Sequence, residues 1–312
     1  MKALAVDLGG SHATCALVEN RDILASRTVF ADRTIGLKPL LPLLASTLKA
    51  IRAEACNANT AGVVFSFCGI VDYVQGRILS TNAKFDDAPS LDLVAWCHEE
   101  LALPLKMEND ARLALLGEWY AGAARGCDNV VMITLGTGIG GAAMSEGRLL
   151  RGKHSQAGCL GGHLPVDFEG RLCSCGAIGC AEAEASSVSL PEVCRSHPGF
   201  ASSAVAAEMP VTFEKLFHHQ GQGDRVAQDI ANRCLRVWAA NIVGLIHAYD
   251  PELVIVGGGV MKSAMQILPF LQEYVQRHAW TPWGKVSVAS AALGNSAALL
   301  GAIPLLEGLA DP

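Results

Sequence analysis

The sequence predicts an α/β fold of two related halves, with mixed sheets flanked by helices and a cleft between the halves. Three observations carry this expectation. Apolar strand-like runs alternate with helical patterns along the chain. Residues 3–18 (ALAVDLGGSHATCALV) and 130–144 (VVMITLGTGIGGAAM) repeat one pattern, an apolar strand, a glycine turn and a second strand, about half a chain apart. Between the second repeat and the last helices lies a glycine-rich loop, residues 160–182, that holds His163, Cys173, Cys175 and Cys180.

At 312 residues the chain is long enough for two domains, and with 51 % apolar and 17 % charged residues it can bury a sizeable core. A net charge of −6 argues against nucleic acid or an anionic membrane as the main partner. Eleven cysteines form an odd count, and no secretory signal precedes the first apolar strand after Met1-Lys2. No apolar run reaches membrane-spanning length. A reducing cytoplasm with free thiols is therefore the expected setting.

Asp7 closes the first strand, and Gly9-Gly10-Ser11 forms the turn after it. Small residues there leave successive backbone N–H groups open to an anion, with the Ser11 hydroxyl beside them. A plain β-hairpin reads equally well on this stretch alone. Recurrence of the turn at Gly136-Thr137-Gly138 favours a pair of hairpins that grip a polyphosphate from both sides. Neither turn is followed by the Gly-Lys-Ser/Thr of a P-loop.

Residues 37–56 carry the leucine spacing of an amphipathic helix, and a buried strand follows at 61–67. The turn 68–72 and a polar loop containing Asn82 lead to a helix over 91–101. A short extended piece at 103–107 runs into Glu108-Asn109-Asp110, and a helix resumes over 111–124. Asp110 admits two readings, a helix-start carboxylate that offsets the macrodipole or a general base aimed into a cleft. Beyond the cysteine loop, 186–224 reads as short helices and loops, and 226–249 as a long helix stopped by Asp250-Pro251. A buried strand at 253–256 ends in Gly257-Gly258-Gly259, which a flat or anionic group could approach closely, and a last helix covers 296–308.

Three thiols and one imidazole within the eighteen residues from His163 to Cys180 are the ligand set of a closed, structural zinc site. Buried apolar cysteines are the alternative, but their clustering in a polar, Gly-rich loop opposes it. Metal binding there supplies about 10–16 kcal/mol of apparent free energy, enough to order a loop with little core of its own.

Taken together, these stretches resemble the ROK family of bacterial sugar kinases. The match runs from Asp7-Leu8-Gly9-Gly10-Ser11 through Glu108-Asn109-Asp110, Leu135–Gly141 and Gly162-His163. It continues through Cys173-Ser174-Cys175-Gly176, Gly179-Cys180, Asp250-Pro251-Glu252 and Gly257-Gly258-Gly259. The resemblance implies duplicated actin-like/ribonuclease H-like ATPase domains. A smaller N-terminal lobe would comprise 1–118 with 297–312, and a larger C-terminal lobe, 119–296, would carry the zinc loop. It further implies ATP-dependent phosphorylation of a hexose or hexose-derivative hydroxyl, with Mg²⁺ and structural Zn²⁺ as cofactors and a cytoplasmic homodimer as the assembly.

By position, Asp7 would sit near the Mg²⁺, while Gly9, Gly10, Ser11, Gly136, Thr137 and Gly138 would hold the phosphates. Gly258 and Gly259 would lie beside the nucleoside. Asp110 would be the catalytic base, with Asn82, Asn109, Glu182 and His163 at the sugar, and His163 would join Cys173, Cys175 and Cys180 on the zinc. The chain departs from the family where Ala-Gly-Glu-Leu/Ile-Gly-His is usual. Here it reads Ala157-Gly158-Cys159-Leu160-Gly161-Gly162-His163, without the sugar-binding carboxylate. Thr81-Asn82-Ala83 replaces the usual Pro-Asn-Leu, and Cys68-Gly69 the usual Pro-Gly. An altered hydroxyl specificity is expected, with Glu184 either a substitute acceptor or a solvated helix-start carboxylate. The alternative function is a non-catalytic, sugar-sensing ROK protein.

Overall fold

A computed structural model of the chain describes residues 1–55, 59–81 and 83–311. Asn82 and Cys56 lie outside the described residues. Among the described residues, twelve strands form the sheets. They are β1 (Lys2–Leu8), β2 (His12–Glu19), β3 (Asp22–Phe30), β4 (Val63–Phe67), β5 (Gly69–Asp72), β6 (Arg77–Thr81), β7 (Leu105–Asn109), β8 (Val130–Leu135), β9 (Ile139–Ser145), β10 (Arg148–Leu149), β11 (Leu253–Gly257) and β12 (Ser287–Ser290). The helices in chain order are α1 (Leu41–Glu54), α2 (Leu93–Leu101), α3 (Asp110–Ala121), α4 (Ala181–Ala185), α5 (Leu190–Arg195), α6 (Phe213–Gly221), α7 (Arg225–Tyr249), α8 (Ala264–His278), α9 (Ala297–Leu300) and α10 (Ala302–Glu307).

The duplication is visible in the sheets. One five-stranded sheet has the order β3-β2-β1-β4-β7 and the other β10-β9-β8-β11-β12. In each, an antiparallel hairpin (β1–β2 or β8–β9) is extended by parallel strands, β4 and β7 in one and β11 and β12 in the other. Central parallel strands are covered on both faces, which explains why β11, and β4 apart from Ser66, are apolar without alternation and why both are buried at every residue. Edge strand β3 alternates and is mostly exposed.

The chain divides into two compact units, Met1–Gly126 with Glu146–Cys159 and Ala292–Pro312, and Cys127–Ser145 with Leu160–Ala291. The first unit thus takes in the segment 146–159, which the lobe boundaries expected from sequence leave out. Its core gathers Leu4, Val6 and Leu8 of β1, Phe65 and Phe67 of β4, and Leu44 and Leu48 of α1. In the second unit Trp238 of α7 is fully buried, 5.0 Å from the Phe213 ring, and its indole N–H donates to Ala185 O at 2.9 Å. That bond ties the end of α4 to the long helix.

Local chemistry accounts for most element ends. Asp92 caps α2 by accepting from Ala95 N, and Asn109 caps α3 by accepting from Ala111 N and Arg112 N. α7 ends where Asp250 turns left-handed at φ 47° ahead of Pro251. The single last helix expected over 296–308 is instead two short ones. Pro304 has no N–H to donate to Leu300, so the hydrogen-bond ladder breaks near Gly301. No helix among the described residues is long and apolar enough to cross a membrane.

Two helical glycines separate packing from propensity. A Cβ on Gly117 of α3 would stand 1.9 Å from Ala297 O, whereas one on exposed Gly244 of α7 would meet nothing within 4 Å. Gly117→Ala is expected to cost about 1–3 kcal/mol by overpacking, and Gly244→Ala to stabilise by up to about 1 kcal/mol. Chemical denaturation of both variants checks the two signs.

Candidate active site and metal centre

Parallel pairing sets the first part of the site. β1, β4 and β7 run side by side, with Asp7 opposite Ser66 and Ser66 opposite Glu108. Their carboxyl ends, where α/β proteins hold ligands, therefore present Asp7 and, one residue past β7, Asp110. The Ser66 hydroxyl donates to Asp7 Oδ1 at 2.7 Å. Burial pushes the Asp7 carboxyl up to about 6, against the lowering effect of the Ser66 bond and with help from the nearby Asp110 charge. Burial also raises Asp110, opposed by the Ala111 N–H and the Lys84 charge.

Asp110 is held through one oxygen. Its Oδ1 accepts from Ala111 N at 2.9 Å and from Asn109 Nδ2 at 3.0 Å, and neither bond occupies Oδ2. Asn109 is itself fully engaged. Its Oδ1 caps α3, and its amide hydrogens go to Asp110 and to Gly69 O at 3.0 Å.

Behind this pair lies a charge network that sequence reading missed. Glu108, fully buried, accepts from Arg151 Nε at 2.7 Å and Arg112 Nη1 at 3.3 Å, and also from Asn109 N at 2.9 Å. Arg112, equally buried, donates to the carbonyls of Ser155 and Ala157 at 3.2 and 2.6 Å. Arg151 also pairs with Asp311 at 2.9 Å and lies over the Tyr73 ring, 3.9 Å from its centre. Glu108 and Arg112 at i, i+4 across the start of α3 were the one available signal; Arg151 stands 43 residues away. Cys159 ends this segment, buried, with its thiol 3.5 Å from Gln156 O.

The glycine turns differ in what holds them. In Gly9-Gly10-Ser11 the Gly9 N–H donates to His12 O at 2.9 Å, and Ser11 O accepts from Ala31 N at 3.0 Å. Gly9 and Ser11 are exposed. In Gly136-Thr137-Gly138, Gly136 N donates to Gly138 O, while the carbonyls of Gly136 and Thr137 accept from Ser187 N and Val188 N. Gly258 must be glycine for an internal reason. Its φ is +92°, and a Cβ would stand 2.3 Å from Leu135 O. Gly259 beside it is exposed, with open space around a Cβ position.

The metal-type residues converge in the second unit. One donor atom each from His163, Cys173, Cys175 and Cys180 lie within 4.8 Å of one another. Cys175 Sγ is 3.6 Å from Cys180 Sγ, and Cys173 Sγ is 3.5 Å from His163 Nδ1. Bond lengths of about 2.0–2.3 Å around a tetrahedral zinc ion give ligand–ligand edges of about 3.3–3.8 Å, which these two pairs match, and the donor types fit that ion. The Asn241 amide holds the loop start by donating to Gly161 O at 2.9 Å.

The two carboxylates after the loop part company. Glu182 Oε2 accepts from Ile139 N at 2.8 Å, and its Oε1 is 4.0 Å from His163 Nε2. Glu184 is neither a free acceptor nor a solvated helix-start residue. It is fully buried, accepts from Arg171 N at 2.5 Å, and pairs with the Arg171 and Arg233 guanidinium groups at 2.7 and 2.6 Å. These donors outweigh its burial and hold its carboxyl below the usual range. Two guanidinium groups so placed leave Glu184 unable to replace the missing family carboxylate.

The two sheets, each an antiparallel hairpin extended by parallel strands, give the chain an actin-like ATPase fold. The ROK family model matches residues 3–308, and the chain belongs to the ROK family. It is 30 % identical over 314 residues to a glucokinase of Thermotoga maritima, covering 98 % of both chains. It is also 30 % identical to an N-acetylmannosamine kinase of Escherichia fergusonii, covering 99 % of both. Among solved structures, the ROK glucokinase of Streptomyces griseus in complex with glucose and AMPPNP superposes with a TM-score of 0.79 at 28 % identity, covering 99 % of this chain and 100 % of that one.

Raising the Asp7 carboxyl from 3.8 to about 6 has a consequence for stability. Between those values the folded chain keeps a proton that the unfolded chain has released. This contribution is therefore fully present below the unfolded value and is lost as pH rises through about 6. Thermal unfolding should show stability falling across that window, and Asp7→Asn should flatten the fall.

Proposed function

We infer that this chain is a sugar kinase that transfers the γ-phosphoryl group of ATP to a hydroxyl of a hexose or hexose derivative. The observation that carries the reading is Asp110, a carboxylate fixed at the β7–α3 junction through Oδ1, with no bond to Oδ2 among the described residues and its pKa raised by burial. A base needs a free oxygen and a pKa closer to neutrality than an ordinary carboxylate has. Oδ2 takes the proton of the attacking hydroxyl as its oxygen bonds to the γ-phosphorus and the bond to ADP breaks. Asp7, also drawn toward neutrality, is the acceptor for the Mg²⁺ that accompanies ATP.

Of the two glycine turns, the N–H groups of Gly9 and Gly136 are bonded within the turns, so those of Gly10 and Ser11 and of Thr137 and Gly138 are the donors offered to the phosphates, as phosphoryl transfer depends mainly on positioning and charge stabilisation. Gly258 and Gly259 flank the nucleoside, with Gly259 leaving open space for it. His163, Cys173, Cys175 and Cys180 hold a structural zinc ion, which cross-links the loop that carries His163 and Glu182 to the sugar. Asn82 and Asn109 complete the sugar contacts, although a hydroxyl bond from Asn109 exchanges for one of its present amide bonds. A cytoplasmic homodimer is the expected setting.

Specificity should depart from that of an ordinary glucokinase. The segment 157–163 carries no carboxylate, and Glu184 is consumed by its two arginines. A site lacking a bidentate acceptor loses discrimination in favour of the hydroxyl pair that acceptor would read.

ADP release with Mg-ATP against hexoses, amino sugars and N-acetylated sugars tests this reading. Turnover is expected on at least one sugar and is expected to fall about 100- to 10,000-fold in Asp110→Asn, the range for loss of a general base. Silence across the panel with nucleotide binding intact would instead favour a sugar sensor.

A further inference from the structure

Glu182 divides its carboxylate between two parts of the second unit. Oε2 accepts from Ile139 N at 2.8 Å, directly after the turn Gly136-Thr137-Gly138. The fit is close, since a Cβ on Gly138 would stand 2.3 Å from that oxygen. Two more bonds fasten the same segment to the turn, Ser187 N to Gly136 O at 3.0 Å and Val188 N to Thr137 O at 3.2 Å. Oε1 faces the other way, 4.0 Å from His163 Nε2.

The metal-type residues adjoin this connection on both sides. Cys180, whose thiol is 3.6 Å from that of Cys175, is the N-cap residue of α4 and lies two residues before Glu182. His163 turns Nδ1 toward the Cys173 thiol at 3.5 Å, which leaves Nε2 as the ring nitrogen facing Glu182. A histidine that ligates a metal through one nitrogen commonly offers the other N–H to a carboxylate, which fixes ring and carboxylate together.

We propose that Glu182 is a positioning residue for the phosphate turn, through which metal binding at the His163–Cys180 cluster and nucleotide binding at Gly136–Gly138 strengthen each other. The proposal rests on reading that turn as a phosphate site. With the metal bound, the ring and Cys180 hold Glu182, and Glu182 holds Ile139 N and the turn. A turn already ordered costs less to occupy. Linkage is reciprocal, so nucleotide in turn retains the metal.

The test uses zinc-loaded protein without sugar, so that no sugar contact of Glu182 enters. Calorimetry with Mg²⁺ and a non-hydrolysable ATP analogue gives nucleotide affinity, and transfer of zinc to a chromogenic chelator gives metal retention with and without the analogue. Glu182→Ala is expected to keep its zinc content and weaken nucleotide binding about three- to tenfold, the size of one net hydrogen bond. Glu182→Gln keeps an acceptor oxygen for Ile139 N and is expected to keep nucleotide affinity close to wild type, but its NH2 then faces the His163 N–H and breaks the link to the metal. The analogue should slow zinc transfer in wild type and much less in either variant. Unchanged nucleotide affinity in Glu182→Ala, or zinc transfer in wild type indifferent to the analogue, would overturn the proposal. Wild-type protein that binds no nucleotide would overturn the kinase reading and the proposal with it.

Discussion

Glu108 is the constraint on which the first unit's site depends. A carboxylate with no exposure, set between two buried guanidinium groups, is compensated only while both partners stay. Breaking such a buried pair costs about 3–5 kcal/mol, because the surviving charge is left unpaired. The network therefore fixes three things at once: the end of β7, the first turn of α3, and the carbonyls of Ser155 and Ala157 that Arg112 gathers. Asn109 and Asp110 follow directly on Glu108 in the chain. Their placement at the carboxyl ends of β1, β4 and β7 is as rigid as that ion network.

The cysteine loop meets a different problem in the second unit. Phe168 and Leu172 are 88 % and 75 % exposed, so the loop does not fold by burying its own apolar residues. It is held by backbone bonds such as Cys173 N to Ala177 O at 2.8 Å, by the Asn241 amide, and by convergence of four soft and borderline donors. A metal bound there, as proposed, would cross-link a loop that has little core of its own. Trp238 then anchors the end of α4, so that the residues after the loop reach the glycine turn in a fixed register.

Much of the fold was legible because central strands and glycine turns have strong local signatures. β1, β4, β8 and β11 are apolar runs bounded by turns, and α7 has a clean apolar face stopped by Asp250-Pro251. The duplicated turns and the cysteine spacing pointed to the candidate site for the same reason. β3, β12 and α8 were less legible. β3 and β12 are exposed or half-buried edge strands, and α8 carries Pro269 within a helix that buries only three residues. Long-range polar pairing left no local trace either. Nothing near Glu184 announces Arg233, 49 residues on, and nothing near Glu108 announces Arg151.

Asp7 and Asp110, half-buried carboxylates with raised pKa values that are proposed as metal ligand and general base, make the central claim measurable through the pH dependence of kcat/KM on whichever sugar is accepted. This profile reports the ionisations of the free protein. The expected result is a fall as pH drops below about 6, where Asp7 takes up its proton, with the raised Asp110 carboxyl adding to the fall, and a shallower slope in Asp7→Asn. A rate that holds constant down to about pH 4, the range of ordinary carboxylates, would contradict it.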